Sequence, residues 1–181
     1  MDIESFVNTT SRAWAIPILA KLHAGIAGRQ APLLAAIGAS RTAFAHSMDH
    51  LITIGLLERN PGYGHPLRPE FRLTELGISS AAIANSIQSV TADEDQDLIR
   101  RSWTLPVLTV LHRHNHFNDI KRNLGTITDR ALSQSLKRME VRNWVRRNVD
   151  EAARPPRSIY RAVNTGGMIS KVTAPEISFA L

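Results

Sequence analysis

Thr128-Asp129-Arg130-Ala131-Leu132-Ser133-Gln134-Ser135-Leu136-Lys137-Arg138-Met139 is the stretch on which the reading of this chain turns. Thr128 has the side chain of a helix N-cap, and Leu132, Leu136 and Met139 recur at i, i+4 and i+7, the stripe of a helix lying on a core. The opposite side carries Arg130, Ser133, Gln134, Lys137 and Arg138. A charged helix face is most often only a solvated face. Here Ser133 and Gln134 are short polar groups suited to base edges, and the cations around them suit phosphates, so the pattern points to nucleic acid. Working outward, Phe117, Ile120 and Leu124 line one side of a shorter helix ending at Gly125. Trp103, Leu105, Val107, Leu108 and Leu111 mark an apolar helix before it, with Thr104 as its expected N-cap and Pro106 in its first turn, where a missing N–H costs little.

On the other side, Trp144-Val145-Arg146-Arg147-Asn148-Val149 reads as a strand and Ser158-Ile159-Tyr160-Arg161-Ala162-Val163 as its partner. Between them Asp150-Glu151-Ala152-Ala153-Arg154-Pro155-Pro156-Arg157 forms a hairpin tip with two prolines flanked by two arginines. Residues 101–166 thus have the order of a winged helix-turn-helix. Three separated motifs, Trp103-Thr104-Leu105-Pro106-Val107-Leu108, Leu132-Ser133-Gln134-Ser135-Leu136 and Pro155-Pro156-Arg157-Ser158-Ile159-Tyr160, occur in the order that resembles the HxlR-type family of bacterial winged-helix transcriptional regulators. The resemblance implies DNA binding, homodimers with one such domain per subunit, and a dimer-forming helix after the wing. Some members of that family sense oxidants or electrophiles through a cysteine. This chain has none, which also excludes disulfides and thiolate zinc sites.

At 181 residues and 43% apolar content the chain has room for one medium or two small packed domains. No signal peptide and no membrane span is expected, and a cytoplasmic, nucleoid-associated protein is. The +6 net charge is uneven. Residues 1–90 are close to neutral at +1, residues 91–99 carry −4 through Asp93, Glu94, Asp95 and Asp97, and residues 100–166 carry +9.

The chain also repeats itself. At an offset of 89, Arg12-Ala13-Trp14-Ala15-Ile16-Pro17-Ile18-Leu19-Ala20-Lys21-Leu22-His23 lies over residues 101–112 with six of twelve positions identical. One residue out of step, Phe44, Met48 and Leu51 lie over Leu132, Leu136 and Met139. Phe71-Arg72 and Gly77 then return to register over Tyr160-Arg161 and Gly166. The run Gly55 to Gly77, with its long Gly/Pro wing and Leu73-Thr74-Glu75-Leu76-Gly77 end, resembles the same family independently. Its recognition helix, capped by Ser40, presents Arg41, Thr42, Ala45, His46 and Asp49, a poorer phosphate-binding set with one acid.

Residues 75–90 read as a helix through Leu76, Ile83, Ile87 and Val90, and Thr91-Ala92-Asp93-Glu94 has the spacing of a capping box opening a short helix through Leu98 and Ile99. Ile3, Phe6 and Val7 fit another short helix. Trp14 and Trp103 are expected to pack in cores rather than cap a ligand. His112, His114 and His116, and likewise His46 and His50 beside Asp49, read as surface residues rather than metal ligands. No catalytic constellation and no phosphate-cradling glycine loop is visible. The expectation is a mainly α protein with small β-wings, in two tandem winged helix-turn-helix domains acting as a pseudo-dimer. Its boundaries are 1–77 for the first repeat, 78–99 for a helical linker, 100–166 for the second repeat and 167–181 for a tail. It is expected to bind operator DNA through Thr128, Arg130, Ser133, Gln134, Lys137, Arg138, Arg154 and Arg157, with Arg41, Thr42, His46 and Arg68 from the first repeat. No enzymatic activity, cofactor or metal is expected. A homodimer of tandem chains, a small-molecule effector, and a protein-interaction or ligand-sensing module with weakened DNA binding stay open as alternatives.

Overall fold

A computed structural model of the chain describes residues 1–60, 69–113 and 115–179. Most of these are helical, and the sheets among them are two antiparallel hairpins. The chain divides into two compact units, Ser11–Ser89 on one side and Met1–Thr10 with Val90–Leu181 on the other.

Helix α1 (Ile3–Thr10) therefore packs with the second half of the chain and not with the segment 1–77 to which sequence position assigns it. Asp2 starts it by accepting the Ser5 amide at 2.8 Å and the Ser5 hydroxyl at 2.9 Å. These bonds favour the ionised form and hold the Asp2 carboxyl below its ordinary value. Ile3 and Phe6 are buried, and Ile3 N–H and Ser178 N–H exchange backbone bonds with Ser178 and Met1 carbonyls at 2.9 Å each.

The unit Ser11–Ser89 holds α2 (Ala15–His23), α3 (Gln30–Ile37), α4 (Arg41–Thr53), strands β1 (Leu57–Arg59) and β2 (Phe71–Leu73), and α5 (Glu75–Ser89). Pro17 sits in the first turn of α2, where no intrahelical N–H is missed, and Ser40 caps α4 by accepting the Ala43 amide at 3.2 Å. Ile16, Ile18 and Leu19 of α2 are buried, as are Ile83, Ala84 and Ile87 of α5, and the two helices pack on each other. Phe44, Met48 and Leu51 close the core from α4. Leu76 does not join them. It is 69% exposed, as Ile78 is at 56%, because the buried stripe of α5 runs through Ser80, Ala81, Ile83, Ala84 and Ile87 instead. The hairpin pairs Leu57 with Leu73 and Glu58 with Arg72.

The other unit continues through a 3-10 turn (Asp93–Asp95), α6 (Gln96–Ile99), α7 (Thr104–Val110), α8 (Phe117–Leu124), α9 (Asp129–Val141), β3 (Val145–Asp150), β4 (Arg157–Ala162) and α10 (Asn164–Thr173). Two local expectations need correction. The N-terminal cap position of α7 is Trp103, and Thr104 is a buried helical residue. The proposed tail is not separate either: α10 starts at Asn164, buries Ile169 and Thr173, and packs on α7, where the Thr109 and Thr173 hydroxyls bond at 2.8 Å inside the core.

From α7 onward the other unit has the same element order as Ser11–Ser89, three helices, a hairpin and a helix, to which it adds α1, the 3-10 turn and α6. The two units also share a backbone detail. Gly77 lies against the Leu56 carbonyl and Gly166 against the Trp144 carbonyl, each too close for a Cβ. Those carbonyls accept the amides of Thr74 and Val163 at 3.1 and 2.8 Å.

Candidate nucleic-acid interface

Helix α9 is set by its buried side. Leu132, Ser135, Leu136 and Met139 face the core, and Thr128 caps the start by accepting the Ala131 amide at 3.2 Å. With that side fixed, Arg130, Ser133, Gln134, Lys137 and Arg138 are all exposed, as is Thr128. No ion pair among the described residues engages Arg130, Lys137 or Arg138. The one acid of the first turn, Asp129, is paired with Lys121 at 2.7 Å, which leaves the face cationic. Lys137 sits between two depressions: it lines a cleft toward the hairpin together with Ser133, and a recess toward α6 together with Gln134 and Arg138.

Arg142, the last cation of the basic run, is used otherwise. Its guanidinium donates to the Asp95 and Asp97 carboxylates at 2.8 and 2.9 Å and to the Glu94 carbonyl at 3.1 Å. Part of the acidic segment 91–99 is therefore neutralised locally, at the C-terminal end of α9.

The hairpin runs from Val145 opposite Ala162 to Asp150 opposite Arg157. Arg154 and Arg157 are exposed. So are Arg146 and Arg147, which the sequence placed on a strand without assigning them a role. Arg147 is held in place, donating Nε and Nη2 to the Ser158 hydroxyl at 3.0 and 2.8 Å. Arg122, on α8, was also missed and lines the same cleft as Arg147. Both were visible as cations, but only the pairing of β3 with β4 and the turn between α8 and α9 bring them together.

In the unit Ser11–Ser89, Arg41, Thr42, Ala45, His46 and Asp49 are exposed along α4. Arg41 and Arg29 border a recess of about 700 Å³ at the start of α3. Arg68, with the rest of 61–68, lies outside the described residues.

The histidines are dispersed. His112 is exposed, His116 stands at the start of α8 with Nδ1 3.4 Å from the Ser158 carbonyl, and His114 lies outside the described residues. His50 meets the Ser11 hydroxyl at 3.3 Å. No group of three or more metal-ligating side chains occurs among the described residues. Trp14 and Trp103 are half-buried at the starts of α2 and α7, whereas Trp144 is the fully buried one, 2% exposed. No helix among the described residues is long and apolar enough to cross a membrane.

No curated protein and no solved structure matches the chain. A family model matches residues 98–175, somewhat less than half of it. That segment runs from α6 past the end of α10 and contains α9 and the whole β3–β4 hairpin, while the unit Ser11–Ser89 lies outside it. Residues 98–175 match the HxlR-like helix-turn-helix family, a family of DNA-binding transcription regulators.

Proposed function

We propose that the protein is a sequence-specific transcriptional regulator of two tandem winged helix-turn-helix domains, with α9 entering the major groove of operator DNA. The observation that carries this reading is the outward face of α9: Arg130, Ser133, Gln134, Lys137 and Arg138, all exposed and without ion partners among the described residues, on a helix whose opposite side is buried in the core. Ser133 and Gln134 would meet base edges, Gln134 pairing bidentately with an adenine, while Thr128, Arg130, Lys137 and Arg138 meet phosphates. Arg154 and Arg157 would lie on the adjacent backbone or minor groove. The tandem part rests on the sequence repeat, on the shared element order, and on the paired contacts of Gly77 with Leu56 and Gly166 with Trp144. The first domain would contribute Arg41, Thr42, His46 and Arg68.

Selection of binding sites from a random DNA pool, followed by anisotropy titrations over a range of salt, tests the reading. A defined preferred sequence and a log affinity falling steeply with log salt are expected. Binding without preference over unrelated duplexes would overturn it. A second reading, a protein-interaction or ligand-sensing module with weakened DNA binding, is favoured by Ala45 and Asp49 on α4, where an outward base-reading helix would carry polar and basic groups. Early elution from heparin at low salt would support that one instead.

A further inference from the structure

We propose that the cleft between α8, α9 and the β3–β4 hairpin seats a DNA backbone phosphate, held by Arg122 and Arg147, so that α8 fixes the register in which α9 meets the bases. This rests on the DNA-binding reading above and adds a site to it. The cleft has a volume of about 1000 Å³. Its walls are the first turn of α8, Ser133 and Lys137 of α9, and Arg147 and Arg157 of the two strands. Four cations border it, Arg122, Lys137, Arg147 and Arg157, against two acids, Asp119 and Glu140.

Three features suit a phosphate. The Arg147 guanidinium is fixed in plane by its two bonds to Ser158, so it loses little freedom on binding an anion and keeps donors for it. The first turn of α8 receives no side-chain cap from His116, and its residues Phe117, Asn118 and Asp119 line the cleft, so the positive end of the helix dipole lies beside it. Arg122 meets Asp119 at 3.3 Å, but the arginine is 76% exposed and water and salt weaken such a pair, so a phosphate can replace or share it. The cleft also adjoins the proposed base-reading face through Ser133 and Lys137. A duplex whose groove receives α9 would run its backbone along this wall. A backbone contact of this kind orients a protein on DNA and carries no sequence information itself.

The test uses the full chain, anisotropy on its selected duplex and on an unrelated duplex, and a salt series for each. Arg122→Ala and Arg147→Ala should each lower the slope of log affinity against log salt by about 0.9, and the double variant by about 1.8. The loss should be equal on both duplexes, and Lys171→Ala, on the exposed side of α10, should keep the parental slope. Arg122→Gln and Arg147→Gln, which keep length and polarity without charge, give the same readout should alanine loosen the hairpin. A folded double variant with the parental slope overturns the proposal, and so does a loss confined to the selected duplex. Inorganic phosphate is titrated in parallel against thermal unfolding. Saturable protection that the double variant loses while its DNA slope stays parental would assign the cleft to a small anion and overturn the proposal. Failure of the parental chain to bind either duplex sinks both readings, whereas parental binding with unchanged variant slopes sinks only this one.

Discussion

Gly77 and Gly166 each let a helix start directly over the carbonyl of a residue just before a strand, Leu56 in one unit and Trp144 in the other. A methyl group at either place would drive into that backbone oxygen, which cannot step aside without breaking its bond from Thr74 or Val163. Gly166→Ala is expected to destabilise its unit by about 1–3 kcal/mol in urea unfolding, as overpacking does. Gly167→Ala, whose nearest neighbour would be the Ala162 carbonyl at 3.5 Å, should be neutral or slightly stabilising, because alanine lowers the entropy of the unfolded helix segment. Equal losses at both positions would show that the contact is not the cause. The equivalence of the two glycines was legible in the sequence from their common offset, but the reason for them was not, since the oxygens they meet are twenty or so residues away. The tryptophans show the converse. Trp14 and Trp103 drew notice through their repeat positions yet are half-buried at helix starts, and Trp144, which reads only as a strand opener, fills the core. At the proposed DNA face, Gln134→Ala is expected to cost about 1–3 kcal/mol of discrimination at one base position while leaving binding to unrelated DNA nearly unchanged. Equal weakening on every sequence would make Gln134 a backbone contact.

The core helices were legible because their apolar stripes are long and their caps are standard: Ser40 and Thr128 cap α4 and α9 as read. Short elements were not legible in their partners. The apolar pattern of Ile3 and Phe6 specifies that α1 has a buried side, but periodicity does not say which core receives it, and α1 joins the unit that holds α7 and α8. Helix α10 runs across the boundary set at Gly166, which lies in its first turn against the Trp144 carbonyl. Phe6→Ala should therefore destabilise the unit containing residues 98–175, by about 3–5 kcal/mol for a buried phenylalanine. Hydrogen exchange would show the loss in α7 and α8; protection lost only within Ser11–Ser89 would contradict the packing. Asp2→Ala should remove the α1 cap at a cost of about 1 kcal/mol near neutral pH. The Asp2 carboxyl lies below its ordinary value of 3.8, so its contribution is complete above that value and is lost as pH falls through the lowered one. The difference between parent and Asp2→Ala should accordingly be flat down to about pH 4 and shrink below it. A difference that instead grew on acidification would mean that the protonated group is the one preferred in the fold.

For the molecule as a whole, where charge is placed decides more than topology. Residues 100–166, from before α7 through the β3–β4 hairpin, carry +9, yet each compact unit taken whole comes to +3, so the units differ in the local placement of charge and not in its total. On the outward sides of α9 and α4, Arg130, Ser133, Gln134 and Lys137 in one unit stand against Thr42, Ala45, His46 and Asp49 in the other. Two such helices cannot read the same bases or neutralise the same number of phosphates. If one chain acts alone as a pseudo-dimer, its operator is expected to be asymmetric or an imperfect palindrome, with the half facing α9 bearing most of the sequence preference and most of the salt dependence. If instead two chains associate, the two copies of α9 would read a true palindrome and the units Ser11–Ser89 would serve as scaffold. Leu76 and Ile78, exposed on α5, are apolar groups available to such an association. Light scattering on the free protein and on its complex with one selected duplex separates the two arrangements. One chain of 20.0 kDa per duplex on an asymmetric site is the outcome expected of the pseudo-dimer, and two chains on a symmetric site would refute it. A charge-reversing change on the weaker helix sharpens the comparison. Asp49→Lys should add about 0.9 to the salt slope where α4 faces DNA, and should leave that slope unchanged where the unit is only a scaffold.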